Sequence, residues 1–217
     1  MHRITVFLGP SLDRKEAEQI LSATYLPPAK RGDLLAAAKN GATIICLIDG
    51  VFHQESAVAH REILSALRQG IRVIGASSMG ALRAAEMDTL GMEGVGEIYR
   101  MYKTGDLVSD DEVALIFDPV TGAALSEPLI NIRCALKKAR EEGIIDTKAH
   151  DALLAAARSV FYPQRTYSRI VAVTGDNINA GMRERFLSWV KTEPCDQKRI
   201  DAIAALTSLS RIPPDKK

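Results

Sequence analysis

The N-terminal half of the chain alternates short apolar runs with segments of helical period. Ile4-Thr-Val-Phe-Leu8 is an apolar run stopped by Gly9-Pro10-Ser11, and Asp13 to Leu21 has helical spacing. Tyr25-Leu-Pro-Pro-Ala29 reads as extended, because each proline disfavours helix in the residue before it. Asp33 to Asn40 is an alanine- and leucine-rich helix closed by Gly41. Thr43-Ile-Ile-Cys-Leu-Ile48 is apolar without alternation, the pattern of a strand covered on both faces. Ser56 to Gln69 is predicted helical, ended by Gly70, and Arg72-Val-Ile74 is the next strand. Strands alternating with helices imply an α/β fold, with a parallel sheet of the Rossmann or flavodoxin kind and right-handed crossovers.

The second half changes character. Asp111 to Phe117 and Thr121 to Leu125, separated by Asp118-Pro119-Val120, predict a β-hairpin. Beyond Pro128 the pattern is helical: Leu129 to Glu142, Ala149 to Val160, Tyr167 to Val173, Ala180 to Lys191 and Cys195 to Ser208, with a frayed tail from Pro213. The predicted organisation is an α/β core over residues 1–126 and a helical C-terminal part over 127–217. With no low-complexity linker or internal repeat, the second part is expected to pack on the first.

Composition narrows the function classes. Lys plus Arg total 28 against 27 for Asp plus Glu, so the formal charge of +1 gives no general affinity for nucleic acid or acidic membranes. Cys46, Cys134 and Cys195 are odd in number, widely spaced and free of any Cys-x-x-Cys. Cys46 reads as a small core residue, and the chain reads as a reduced, cytoplasmic protein. It enters a strand at once, without the pattern of a signal peptide, and no apolar run approaches the roughly 18 residues of a membrane span.

The most informative stretch is Ile71 to Glu86, where an apolar run meets Gly75-Ala-Ser-Ser-Met-Gly80 and turns directly into a helical pattern. Ala76 and Gly80 flank Ser78 as a tight strand-to-helix elbow requires, although x-S-S-x-G falls short of the full G-x-S-x-G. Two roles are open to Ser78: a nucleophile whose oxyanion is met by the Met79 amide, or a helix cap. Ligands in an open parallel sheet bind beyond the carboxyl ends of the strands. Three loops should meet there: Gly9-Pro10-Ser11, Asp49-Gly50-Val51-Phe52-His53 and Ser77-Ser78-Met79-Gly80. Asp49 either orients a base or caps its own loop. His60 shares a helical face with Ile63, Leu64 and Leu67, so it is a base or a core histidine, and His53 is a more accessible alternative. Arg83 and Glu86 have the spacing of an i,i+3 ion pair. Gly91 to Gly96 resembles a phosphate loop, but it follows a helix and so reads as a helix end. Asp110-Asp111-Glu112 suits a hard cation or a solvated strand entry. The histidines and cysteines lack zinc spacing, and no metal or cofactor is expected.

Ile48-Asp-Gly-Val-Phe52, His60-Arg-Glu-Ile63 and Gly75 to Glu86, in this order, resemble the TfuA-like proteins. Gly91-Met92, Gly94-Val-Gly96, Tyr102 and Asp110 to Val113 extend the likeness, as do Gly9 to Ser11, Pro27 to Ala29 and Gly32-Asp33 upstream. Over the helical tail it continues only through Gln197-Lys198 and Asp201-Ala202. The resemblance implies partnership with a YcaO-type enzyme that installs peptide-backbone thioamides, and hydrolysis of a thiocarboxylated ThiS-like carrier protein to release sulfide. A precursor peptide is a further expected partner, and an oligomer is compatible with the sequence. Carried onto this chain, Ser78, His60 and Asp49 become the catalytic candidates. Ser11, Gly50, Ser77, Met79, Gly80, Arg83 and Glu62 become the substrate-binding ones. A non-catalytic adaptor that activates the YcaO enzyme is the alternative, with Ser78 then only a helix cap.

Overall fold

A computed structural model gives the fold and describes residues 2–52, 56–118, 121–192 and 195–213. Five strands form one parallel sheet: β1 (Ile4–Phe7), β2 (Thr24–Leu26), β3 (Ile44–Leu47), β4 (Arg72–Ala76) and β5 (Glu93–Val95). Their order is β2-β1-β3-β4-β5, the flavodoxin-like arrangement, with its switch in strand order between β1 and β3. The connecting helices are α1 (Arg14–Ile20), α2 (Asp33–Lys39), α3 (His60–Arg68) and α4 (Met79–Met87), with α5 (Glu97–Thr104) following β5.

The unbroken apolar run of β3 is explained by coverage on both sides. Ile44, Cys46 and Ile48 pack with Val6, Leu8 and Ala17, while Ile45 and Leu47 pack with Leu34, Ile63 and Ala84. Complete burial pushes the Cys46 thiol up to about 12.

The residues form two compact units, 1–110 with 198–217, and 111–197. The second holds α6 (Leu129–Glu141), α7 (Thr147–Ser159), α8 (Tyr167–Thr174) and α9 (Ala180–Thr192) around Leu136, Leu153, Ile170 and Phe186. The last helix, α10 (Gln197–Ser210), enters the first unit, whereas the sequence assigned it to the helical part. Its Ala202, Ala205, Leu206 and Leu209 join the cluster built on β1 and β3, a packing partner that periodicity cannot name.

Two further local expectations fail and one holds only in part, for identifiable reasons. The hairpin shrinks to one antiparallel bridge, Phe117 with Ala124, and Pro119 and Val120 lie outside the described residues. Ile116 donates its N–H to Ser126 Oγ (3.0 Å) instead of a strand ladder, and Asp110–Glu112 forms a 3-10 turn. Gly91 does end a turn, at φ 106°, but Glu93-Gly94-Val95 then becomes the edge strand β5. Pairing of Ile74 with Glu93, and a double hydrogen bond from Arg72 to the Glu93 carboxylate (2.5 and 2.7 Å), supply what local propensity lacks. Cys134 and Cys195 are joined in a disulfide with Cα atoms 5.8 Å apart, against the expectation of reduced thiols. Sequence spacing gave no sign of their proximity.

No described helix is long and apolar enough to cross a membrane.

Candidate functional site

The three loops that follow β1, β3 and β4 meet around Asp49, which is 2 % exposed. Its Oδ2 accepts the backbone N–H groups of Gly9 (2.8 Å) and Ser11 (3.1 Å), and its Oδ1 accepts the Ser11 hydroxyl (2.7 Å). Ser77 Oγ lies 3.0 Å from Ser11 Oγ, extending the chain of hydroxyls into the β4–α4 elbow. Asp49 therefore caps the loop after β1, some forty residues away, rather than its own. Lys198, from the first turn of α10 and 2 % exposed, brings Nζ to 4.0 Å from Asp49 Oδ1. A buried carboxylate with three hydrogen bonds and a nearby cation has its desolvation offset.

The elbow itself is tight. A side chain at Gly75 would collide with the Gly80 carbonyl, and one at Gly80 with the Leu47 carbonyl. Gly50 keeps a Cβ away from Met79 Cγ, which would stand 2.9 Å from it. Ser77 has φ 66°, alone among the described non-glycine residues in taking a positive φ. The Ser78 N–H closes a three-residue turn on the Ala76 carbonyl (2.9 Å), the strained positive-φ form of the γ-turn. Ser78 is the N-cap of α4, at φ −104° and ψ −121°, and its hydroxyl does not cap the helix. The elbow expectation is met in backbone terms: the strand ends at Ala76 and the helix begins at Met79. Ser77 and Ser78 are nonetheless 0 % and 2 % exposed. Gly80 donates to the Ile48 carbonyl (3.2 Å), and Met79 holds the first helical position, where an N–H has no intrahelical acceptor.

The remaining candidates sit elsewhere. His60 is the first residue of α3, half-exposed, with Nε2 2.8 Å from Glu86 Oε2. It is neither a core histidine nor a partner of Ser78, because α3 starts four residues later than its apolar spacing suggested. Arg83 donates to the same Glu86 oxygen (2.5 Å) and to the Val58 carbonyl (3.0 Å). These three residues line a cavity of about 550 Å³ with Arg31, Phe52, Leu82, Val108 and Asp110. Met79 reaches that lining, but Ser77 and Ser78 do not. Glu62, read as substrate-binding, is 1 % exposed and bonds the backbone amides of Gly32 (2.8 Å) and Ala59 (3.3 Å). It fixes the start of α3 to the loop before α2. His53 lies outside the described residues.

The acidic run divides its carboxylates between arginines. Asp111 accepts from Arg165 (2.6 Å), and Glu112 takes a two-pronged bond from Arg133 (2.8 and 2.6 Å). Among the described residues no group of three His, Cys, Asp or Glu side chains is placed to hold a metal ion.

The sequence placed Lys198 only in the loosely matching tail, and neither its approach to Asp49 nor the Ser77–Ser11 contact was legible there. The signal for its burial was present: it lies on the stripe Lys198, Asp201, Ala202, Ala205, Leu209 that α10 buries. A charge on an apolar stripe needs a partner. Asp201 finds one as well, accepting the N–H groups of Glu97 (3.0 Å) and Ile98 (2.7 Å) at the start of α5.

A sequence model of the family described as TfuA-like protein matches residues 49–166, more than half of the chain. No curated protein gives a match. The matched residues begin at Asp49 and include the elbow, while Ser11 and Lys198 lie outside them.

Proposed function

Because the chain belongs to the TfuA-like family, we propose that it supplies sulfur for peptide-backbone thioamidation by a YcaO-type partner, releasing sulfide from a thiocarboxylated ThiS-like carrier. The reaction is acyl transfer. A serine hydroxyl attacks the thiocarboxylate carbon, hydrosulfide leaves, and water hydrolyses the resulting ester. One observation carries this reading: an elbow serine at a helix N-terminus is hydrogen-bonded through a second hydroxyl to a buried carboxylate at the sheet's switch point. A nucleophile, a proton acceptor and backbone donors are the parts that acyl transfer requires. His60 has no part in this version, since its ring is engaged with Glu86.

The adaptor reading draws on a different observation, the near-complete burial of both elbow serines. On that reading the hydroxyl chain only braces a strained turn, and the chain acts by binding its YcaO partner. The two readings part on one measurement. Purified protein mixed with thiocarboxylated ThiS is expected to release sulfide catalytically without the YcaO enzyme. Activation of the YcaO enzyme supplied with free sulfide, by a protein that releases none from the carrier, would establish the adaptor instead.

A further inference from the structure

We propose that Cys134 and Cys195 form a redox latch: the closed disulfide fixes the chain that leads into α10, and opening by a dithiol frees the first turn of that helix. Its bearing on sulfide release rests on the function proposed above. Three links fasten residues 195–197 to α6. Cys195 is joined to Cys134, with Cα atoms 5.8 Å apart. Asp196 Oδ1 accepts the Asn131 side-chain amide (3.0 Å), and the Gln197 N–H donates to Asn131 Oδ1 (3.0 Å). Asn131 and Cys134 lie one turn apart on α6, so both reach the same stretch. The Gln197 N–H is the first of α10, where a helix offers no acceptor of its own, and Asn131 stands in for a cap. The next residue is Lys198, whose ammonium approaches Asp49. The latch therefore holds the root of the helix that carries this charge.

Two observations favour a latch over a passive crosslink. The apolar core of the helical unit is built without the bond: Leu129, Ile132, Leu136 and Ala139 carry the core face of α6, and Cys134 is not among them. Both cysteines are only partly buried, within reach of a reductant, whereas the thiol of Cys46 is fully buried and cannot exchange with them. The opening step balances. A thiolate of the dithiol attacks one cysteine sulfur, the S–S bond breaks, and the other cysteine leaves as thiolate and takes a proton. The second thiol of the reagent then displaces the first cysteine, so two electrons and two protons pass to the protein and the reagent departs as its own disulfide. The two Asn131 hydrogen bonds remain at the root of α10, without the covalent link.

The experiment compares the full chain, air-oxidised, with the same protein after dithiothreitol. Alkylation and intact mass count the thiols, and melting and amide exchange report the structure. In the folded protein Cys134 and Cys195 should be alkylated only after reduction. Reduction should lower Tm by about 5–15 °C, because the bond closes a loop that contains α7, α8 and α9. Exchange should rise about tenfold or more at Gln197, Asp201 and Ala202, whose N–H groups mark the first turn of α10, and less at Ala205 and Leu206. Cys134→Ser combined with Cys195→Ser should match the reduced protein and ignore dithiothreitol. Sulfide release from thiocarboxylated ThiS should slow on reduction, as Lys198 loses its fixed approach to Asp49. Alkylation of both cysteines in the oxidised protein overturns the latch. So does a lower Tm with exchange along α10 unchanged or raised evenly, which is the signature of a passive crosslink. Release indifferent to reduction overturns the control of the reaction. Wild-type protein that releases no sulfide in either state overturns the proposed function alone, and the exchange measurement still decides the latch.

Discussion

Each of the two units buries charged side chains, and Arg165 and Asp49, one from each, differ in what they hold. In the helical unit Arg165 is fully buried and donates to the carbonyls of Ala157 (3.1 Å) and Val160 (3.1 Å), and to the carbonyl (3.3 Å) and carboxylate (2.6 Å) of Asp111. In the α/β unit Asp49 is as deeply buried and holds two backbone amides and a hydroxyl. Burial and saturation alone would rank them together. The difference lies in their partners. Arg165 ties the end of α7 to the acidic turn through fixed acceptors, which is a structural task. Asp49 ends a line of exchangeable protons that starts at the elbow. Both charges brace their surroundings through backbone groups, and Asp49 alone of the two also accepts from a hydroxyl.

The largest expected effect tests that distinction directly. Asp49→Asn should reduce sulfide release from thiocarboxylated ThiS by about a hundredfold to ten-thousandfold, since an amide cannot take up the relayed proton. A near-normal rate would remove the chemical half of the comparison. Arg165→Met should instead lower stability by roughly 3 kcal/mol, because carbonyls at the end of α7 lose their donor. Urea unfolding gives the number, and release by the folded fraction should stay within a few-fold of wild type.

Alkaline titration sharpens the picture from within the α/β core. The Cys46 thiol is held near 12 by burial, against 9.0 for a free thiol. Below the free value it is protonated in both states and its contribution is complete. As pH rises from about 9 towards 12, only the unfolded chain ionises, so stability falls by up to roughly 1.4 kcal/mol per pH unit. Comparing wild type with Cys46→Ala over that window isolates the slope, which the alanine variant should lack.

Asp201→Ala should cost about 1–2 kcal/mol, the loss of a helix cap contributed from the far end of the chain. Amide exchange should rise first at Glu97 and Ile98. The smallest effect belongs to His60→Ala. An exposed pair with Glu86 is worth less than about 1 kcal/mol, and sulfide release should change only slightly. A large fall in release would return His60 to the reaction and displace Asp49 as the proton acceptor.

Part of this site was legible in the residues. The apolar run before Ser77-Ser78, the small residues around it and the three loops at strand ends all rest on local pattern, and the structure brings those loops together. His60 was misplaced because helical spacing extends its face backward, whereas Glu62 bonds the Ala59 amide and starts α3 only at His60. Glu62 and Gly50 were read as ligand-facing, yet both serve contacts between loops distant in sequence. An N-cap such as Ser78 is visible in sequence, whereas the hydrogen bond from Ser77 to a residue 66 positions away is not.

By itself the sequence determined the alternation of strands and helices, the burial of β3 on both faces and the sharp turn after β4. Each of these depends on neighbours a few residues apart, through side-chain period and the conformational limits of glycine and proline. The tertiary structure alone decided the strand order, the fifth strand, the return of α10 to the first unit, the pairing of Cys134 with Cys195 and the convergence of Ser77, Ser11, Asp49 and Lys198. Those features join residues tens to more than a hundred positions apart. Local propensity cannot specify such contacts; they form where burying apolar surface leaves polar groups that must find partners.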